Sequence, residues 1–251
     1  MNAICRGYVL CVLMITLAAE TTSAQFMPSK YEAGINIGSL IYQGDLSRGA
    51  LGYTKSLKPS VGVYVARSLD EYFSARATLA FGTIDANDLS YSSPEYLKYR
   101  ALSFSSSVVE FSGQLVYHFL GNTSVRNDSR FSPYLFAGVG LSALNIKRNW
   151  SQFDAAYFGA ESAAVKGLGT DTLHRVPGVI PVIPVGVGVQ YLLTPQIALT
   201  SEWTYRITET DYLDGFSHVA DPKKNDYYYG FTIGVSYRFG NNRMDCPKVV
   251  K

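Results

Sequence analysis

Apolar and polar residues alternate with a period of two in eight stretches of the chain, the mark of strands whose two faces differ chemically. In Tyr31–Tyr42, one face carries Tyr31, Ala33, Ile35, Ile37 and Ile41, and the other Glu32, Gly34, Asn36 and Gly38. Val61, Val63 and Val65 alternate with Gly62, Tyr64 and Ala66. Phe73, Ala75, Ala77, Leu79 and Phe81 alternate with Ser74, Arg76, Thr78 and Ala80. Val109, Phe111, Leu115 and Tyr117 oppose Glu110, Ser112, Gln114 and His118. Leu135, Ala137, Val139 and Leu141 oppose Tyr134, Phe136, Gly138 and Gly140. The last three stretches centre on Val185–Tyr191, Ile197–Ile207 and Tyr227–Phe239 and repeat the rule.

The connectors alternate in length. Leu69–Glu71, Gly121–Arg130 and Thr194–Pro195 are the short ones. Gly44–Lys58, Asp85–Leu102, Lys147–Gly178 and Thr208–Asp226 are the long ones. Short turns on one side and long loops on the other are the pattern of outer-membrane barrels, and each run suits a tilted membrane strand of about 9–11 residues. The expected fold is therefore all-β: an eight-stranded antiparallel transmembrane up-and-down β-barrel of the OmpA/OmpX size class. Lipid cannot satisfy an open sheet edge, so Tyr31–Tyr42 is expected to close the barrel against Tyr227–Phe239. Val63, Val139, Val187 and Ile233 are predicted to face lipid. A soluble barrel would place this apolar face inward.

The N-terminus adds an export signal to this picture. Arg6 precedes an apolar run from Tyr8 to Ala19, and Thr22-Ser23-Ala24 supplies small residues before Gln25. This reads as a signal peptide over 1–24, too short to span a membrane easily. The barrel is then expected over 25–240 and a periplasmic tail over 241–251. Loss of Arg6 and Glu20 leaves the formal charge of +2 unchanged, and that balance argues against nucleic acid as a partner. Cys5 and Cys11 leave with the signal, so Cys246 is the only cysteine of the mature chain.

An eight-stranded barrel has an interior that side chains just fill. By parity Glu32, Arg76, Glu110, Glu202, Arg206 and Arg238 all point into it. Opposite charges there form a self-neutralising ionic plug, and the competing reading is an ion or proton path. Closure should bring Glu32 beside Arg238, and Arg76 near Glu110 or Glu202.

Candidate chemistry is sparse. Gly138-x-Gly140-x-x-Ala143 has the form of a dinucleotide fingerprint, but no helix follows, so small inward residues explain it better. His118 reads as a lumen hydrogen-bonder, and His174 and His218 as solvated loop residues. Ser217-His218 beside Asp214 and Asp221 is the nearest approach to a catalytic cluster. Glu209, Asp211, Asp214 and Asp221 lack EF-hand spacing and read as a solvated loop. Asn122, Asn127 and Asn149 begin Asn-x-Ser/Thr sites, which carry no weight in a bacterial envelope protein. No catalytic, cofactor or metal site is expected.

Several stretches together have a familiar form: YEAGINIGSLIYQGDLS at the start, SPYLFAGVGL in the middle, EWTYRITETDYLDGFS and YYYGFTIGVSYRFG near the end, then a Cys246-Pro247 tail. They resemble a family of Bacteroidota outer-membrane barrels that includes PorG of the type IX secretion system. The resemblance covers nearly the whole mature chain, although Lys147–Gly178 has no feature that matches. It implies association with a periplasmic ring of PorK-like and PorN-like proteins that supports cargo export, with this chain as an anchor or docking subunit rather than the conduit. It offers no catalytic residue to carry over. In that context Cys246 could form a disulfide with a periplasmic partner; the alternative is a free thiol in a polar tail. The alternative function is a general surface, structural or adhesive barrel working through its outer loops.

Overall fold

In the computed structural model, which describes residues 31–47, 52, 57–121, 130–220 and 225–239, the eight alternating stretches are eight strands. They are β1 (Tyr31–Gln43), β2 (Lys58–Ser68), β3 (Phe73–Asn87), β4 (Ser103–His118), β5 (Phe131–Asn149), β6 (Val179–Leu192), β7 (Ile197–Thr208) and β8 (Tyr227–Phe239). Each pairs antiparallel with its chain neighbours, and β1 pairs with β8 from Tyr31↔Phe239 to Gln43↔Tyr227, closing the barrel. Every strand thereby has two partners, the condition lipid imposes. The signal segment, the 241–251 tail with Cys246, Asn122, Asn127 and Asp221 lie outside the described residues.

The outside of the barrel is an apolar belt. Val63 (48% exposed), Val139 (69%), Val187 (53%) and Ile233 (53%) all point outward. A surface of this size and composition requires lipid to cover it, so the fold is that of a transmembrane barrel. Tyr31, Phe73, Tyr191, Tyr237 and Phe239 stand exposed at the short-turn end, where aromatic rings form an interfacial girdle.

Three strands run further than their apolar alternation suggests. β3 has 15 residues, β4 16 and β5 19. Their last apolar outward rung is Phe81↔Val109↔Ala143. The next outward rungs are Thr83↔Ser107↔Asn145, Asp85↔Ser105↔Lys147 and Asn87↔Ser103↔Asn149. At the same height Ile84, Ala86, Phe104, Val108 and Leu144 turn inward and are buried. The polarity of the wall inverts at one level on all three strands. Side chains alternate faces with period two, so a shift of the apolar set by one residue moves it from outside to inside. The extension thus leaves the apolar belt and becomes a sheet with a buried inner face and a wet outer face.

Two of the long loops contain short helical elements. Between β3 and β4 lie a short 3-10 turn (Asp88–Ser90) and α1 (Tyr96–Arg100). Between β5 and β6 lie α2 (Ala155–Phe158) and α3 (Ala163–Leu173). Asp154 caps α2 by accepting from the N–H groups of Ala156 and Tyr157, and Ser162 caps α3 through the N–H of Val165.

Candidate functional site

The lumen within the apolar belt contains all six predicted charges. They meet as three pairs, stacked from the short-turn end upward. Arg238 Nε lies 3.2 Å from Glu32 Oε2, because β1 and β8 place the two residues opposite each other. Glu32 also accepts from the Tyr64 hydroxyl at 2.9 Å and from Gln190 Nε2 at 3.0 Å. Above it, Arg76 Nη1 bonds Glu202 and Arg76 Nε donates to Gln114 Oε1 at 2.8 Å. The guanidinium is held against the Phe136 and Tyr64 rings, 4.5 and 5.4 Å from their centroids, and Tyr134 donates to Glu202 at 2.7 Å. Higher still, Arg206 Nε lies 2.6 Å from Glu110 Oε2, which also accepts from the Tyr228 hydroxyl at 3.0 Å.

Three cations and three anions leave this lumen neutral, and each carboxylate has neutral donors besides its arginine. These donors offset part of the cost of desolvating the buried pairs. His118 sits among hydroxyls at the short-turn end, with Nδ1 3.1 Å from Ser132 Oγ. Among the described residues the lumen includes two voids of about 30 Å³, one lined by Ser60, Thr78 and Arg206 and one by Glu32, Ser74 and His118. Each has the size of a single water rather than of a permeant solute. Gly138 and Gly140 lie in mid-strand, so no helix N-terminus is available to hold a dinucleotide phosphate.

Above the ionic levels the barrel mouth is closed by an apolar plug, a feature absent from the sequence-based expectation. Leu40, Ile84, Phe104, Val108, Leu144 and Ile180 line the wall. Leu213, Phe216 and Val219 from the last long loop and Leu168 from α3 descend onto them. Leu213 and Phe216 are fully buried. Residues 209–220 of the loop Thr208–Asp226, expected to be solvated, therefore form the stopper of the barrel. Its alternation of acidic and apolar residues holds the signal: the apolar set Leu213, Phe216 and Val219 needs a covered surface as much as any core residue.

Three polar knots hold the stopper in place. Asp171 of α3, fully buried, accepts from the backbone N–H groups of Ser217, His218 and Val219 at 3.1, 3.1 and 2.9 Å. The His218 imidazole also meets Asp171, with Nδ1 at 3.1 Å. This corrects the sequence-based cluster: the carboxylate beside Ser217-His218 is Asp171, while Asp214 faces elsewhere. His174 is exposed, as expected, and its ring stacks on Tyr212 with 4.0 Å between ring centroids. The helix approaches so closely that a Cβ on Gly167 would lie 2.2 Å from the His218 carbonyl oxygen.

Arg148 is the second knot. It donates from Nη1 to the carbonyls of Asp171 (2.6 Å) and Gly215 (3.0 Å) and from Nη2 to that of His174 (3.3 Å). It thereby sets a cation against the carbonyls at the C-terminus of α3, where one is favoured. Gly215 has φ +83°, and a Cβ there would strike Arg148 Cδ at 2.3 Å. Arg100 and Asp88 form a bidentate pair (2.7 Å each) that ties α1 to the 3-10 turn. Arg100 also reaches the carbonyl of Asp45 at 3.4 Å.

The third knot is a carboxyl pair. The Tyr42 hydroxyl lies 2.7 Å from Asp214 Oδ2 and 2.7 Å from Asp226 Oδ1. One hydroxyl proton serves one acceptor, so the second short contact is made by a carboxyl proton. Burial raises both aspartates above the ordinary carboxylate range, Asp214 further through its neighbour Asp226, and Asp226 to about 8 with Asp45 and Asp211 adding to the rise. Among the described residues no group of His, Cys, Asp or Glu is arranged to hold a metal ion.

Residues 7–248 match a family model described as a domain of unknown function, DUF6089. Among solved structures the chain is similar to the attachment invasion locus protein Ail of Yersinia pestis, seen with the heparin analogue sucrose octasulfate. That alignment has 11% identity, covers 85% of this chain and 100% of Ail, and has a TM-score of 0.45. Neisserial surface protein A aligns with 14% identity over 83% of this chain and 97% of its own, TM-score 0.47. The N-terminal barrel of Pseudomonas aeruginosa OprF aligns with 12% identity over 84% and 99%, TM-score 0.40. No curated protein matches the sequence.

Proposed function

The chain belongs to the DUF6089 family, and for this member we propose a sealed, non-catalytic barrel of the bacterial outer membrane that anchors a larger envelope assembly. The carrying observation is the double filling of the interior among the described residues, ionic within the apolar belt and apolar above it. A barrel that does not conduct acts through its surfaces. The start of β1 and the end of β8 both lie at the short-turn end, which this reading takes as the periplasmic one. The resemblance to PorG-like barrels then supports a docking role in a type IX-like protein secretion machine, with PorK- and PorN-like ring proteins below the membrane. Cys246, in a tail that follows the last strand, is the candidate attachment point through an intermolecular disulfide.

Clean deletion should abolish cargo secretion while leaving outer-membrane permeability unchanged; normal secretion in the deletion strain sinks the reading. Cys246→Ser should remove a heavier band seen on non-reducing gels of membranes alkylated at lysis. A second reading, a surface barrel working through its loops, is favoured by the knotting of those loops into one cap. It predicts that shortening the loops, and not removing residues 241–251, abolishes the phenotype.

A further inference from the structure

From the β3–β5 extension we infer a second contact surface: its outer wall docks the sugar headgroup of an outer-leaflet glycolipid. The inference rests on the reading of the chain as an outer-membrane barrel with its long loops outside. Three strands rise past the apolar belt in register and carry polar side chains outward on three successive rungs. Ser105, Ser107, Asn145, Lys147 and Asn149 are exposed, and the β3 column of Thr83, Asp85 and Asn87 is half-buried. Asp85 is already engaged by Lys58 at 2.9 Å, which leaves Lys147 as the charge the wall presents.

The position selects the occupant. The first polar rung sits one step above Phe81↔Val109↔Ala143, so the wall begins where acyl chains end and headgroups start. The chemistry selects it again. The wall presents neutral hydroxyls and amides, which both donate and accept, as sugar hydroxyls do. The lone ammonium suits a headgroup phosphate. Rungs spaced by about 6.8 Å and strands by about 4.8 Å make a face of roughly 14 by 10 Å, the footprint of about two sugar rings. The other side of the same strands is filled by the plug, so only this side is free to bind.

The test uses the full chain in two steps. In a Cys246→Ser background, Asn145→Cys should react with a membrane-impermeant maleimide on intact cells. Failure to label refutes the outside placement of the loops and this proposal with it. Purified barrels are then analysed by native mass spectrometry with rough lipopolysaccharide, lipid A alone or phosphatidylglycerol as probes. Ser105→Ala/Ser107→Ala/Asn145→Ala and, separately, Lys147→Glu are compared with the wild type, and heat-modifiable gel migration reports that each is folded. The expected result is preference for rough lipopolysaccharide over lipid A, and about tenfold weaker retention in the triple variant, the size that losing one or two net hydrogen bonds produces. Lys147→Glu should weaken retention in the same direction. Labelled cells with equal retention by wild type and variants overturn the docking face alone. Equal retention of lipid A and rough lipopolysaccharide also overturns it, because the sugars then contribute nothing.

Discussion

Below and above the rung Phe81↔Val109↔Ala143, the same strands β3, β4 and β5 enclose two interiors of opposite kind. Below it, apolar side chains face outward and the inside is ionic, with Arg76, Arg206 and Arg238 each on a glutamate. Above it, polar side chains face outward and the inside is an apolar plug around Leu213 and Phe216. Each region places its apolar residues away from water, but in the lower one the water-free side is the outside. The lower interior is held by charge and hydrogen bonding along barrel walls that cannot separate without opening the closed sheet. The upper interior is held by burial of loop residues whose backbones are fixed by Asp171, Arg148 and the Tyr42–Asp214–Asp226 knot. The two should therefore fail differently, one with the barrel and one without it.

Arg206→Ala tests the lower region and carries the largest expected effect. It leaves Glu110 buried with its hydroxyl donor but no cation, a loss of about 3–5 kcal/mol in urea unfolding of the reconstituted barrel. Replacing both partners with apolar residues, Arg206→Met with Glu110→Leu, should recover most of it. A double variant as unstable as the single one would show that the pair does more than neutralise itself.

Phe216→Ala tests the upper region. Truncating this fully buried ring should cost about 3 kcal/mol of cap stability. Hydrogen exchange should rise in α3 and in residues 208–220, while the urea midpoint of the barrel stays near the wild type. A matching drop in barrel stability would mean that the regions unfold as one unit. A smaller effect is expected for Gly167→Ala, where the added methyl meets the His218 carbonyl: about 1–3 kcal/mol, again confined to the cap.

The last test uses pH rather than truncation. Asp214 and Asp226 hold their protons more tightly in the folded cap than in an unfolded chain, where a carboxyl titrates near 4. Stability falls with rising pH wherever the folded state binds more protons. The contribution of this knot is fully present below pH about 4 and declines as pH rises, with Asp226 titrating at about 8 and Asp214 also held above the ordinary carboxylate range. Asp226→Asn should flatten that slope in hydrogen exchange of residues 208–220. A cap that tightens between pH 5 and 8 would contradict the assignment.

Strand number, strand order, closure and the outward set were legible in the sequence because they follow from alternation, and alternation is local. Parity placed Glu32, Arg76, Glu110, Glu202, Arg206 and Arg238 inside for the same reason. Pairing was legible only where closure makes two strands neighbours, as for Glu32 and Arg238. Arg76 had two glutamates within plausible reach, and barrel width together with the Tyr134 and Gln114 bonds decided for Glu202. The inversion on β3–β5 was written in the chain as Ser103, Ser105 and Ser107 ahead of Val109 and Phe111. It had no meaning until register aligned it with Thr83 and Asn145. The plug and its knots were decided by tertiary structure alone. Asp171 and Ser217, or Tyr42 and Asp226, are distant in sequence and follow no periodicity. They meet because a folded loop must find donors for every buried carboxylate, and those donors exist only once the barrel has brought the loops together.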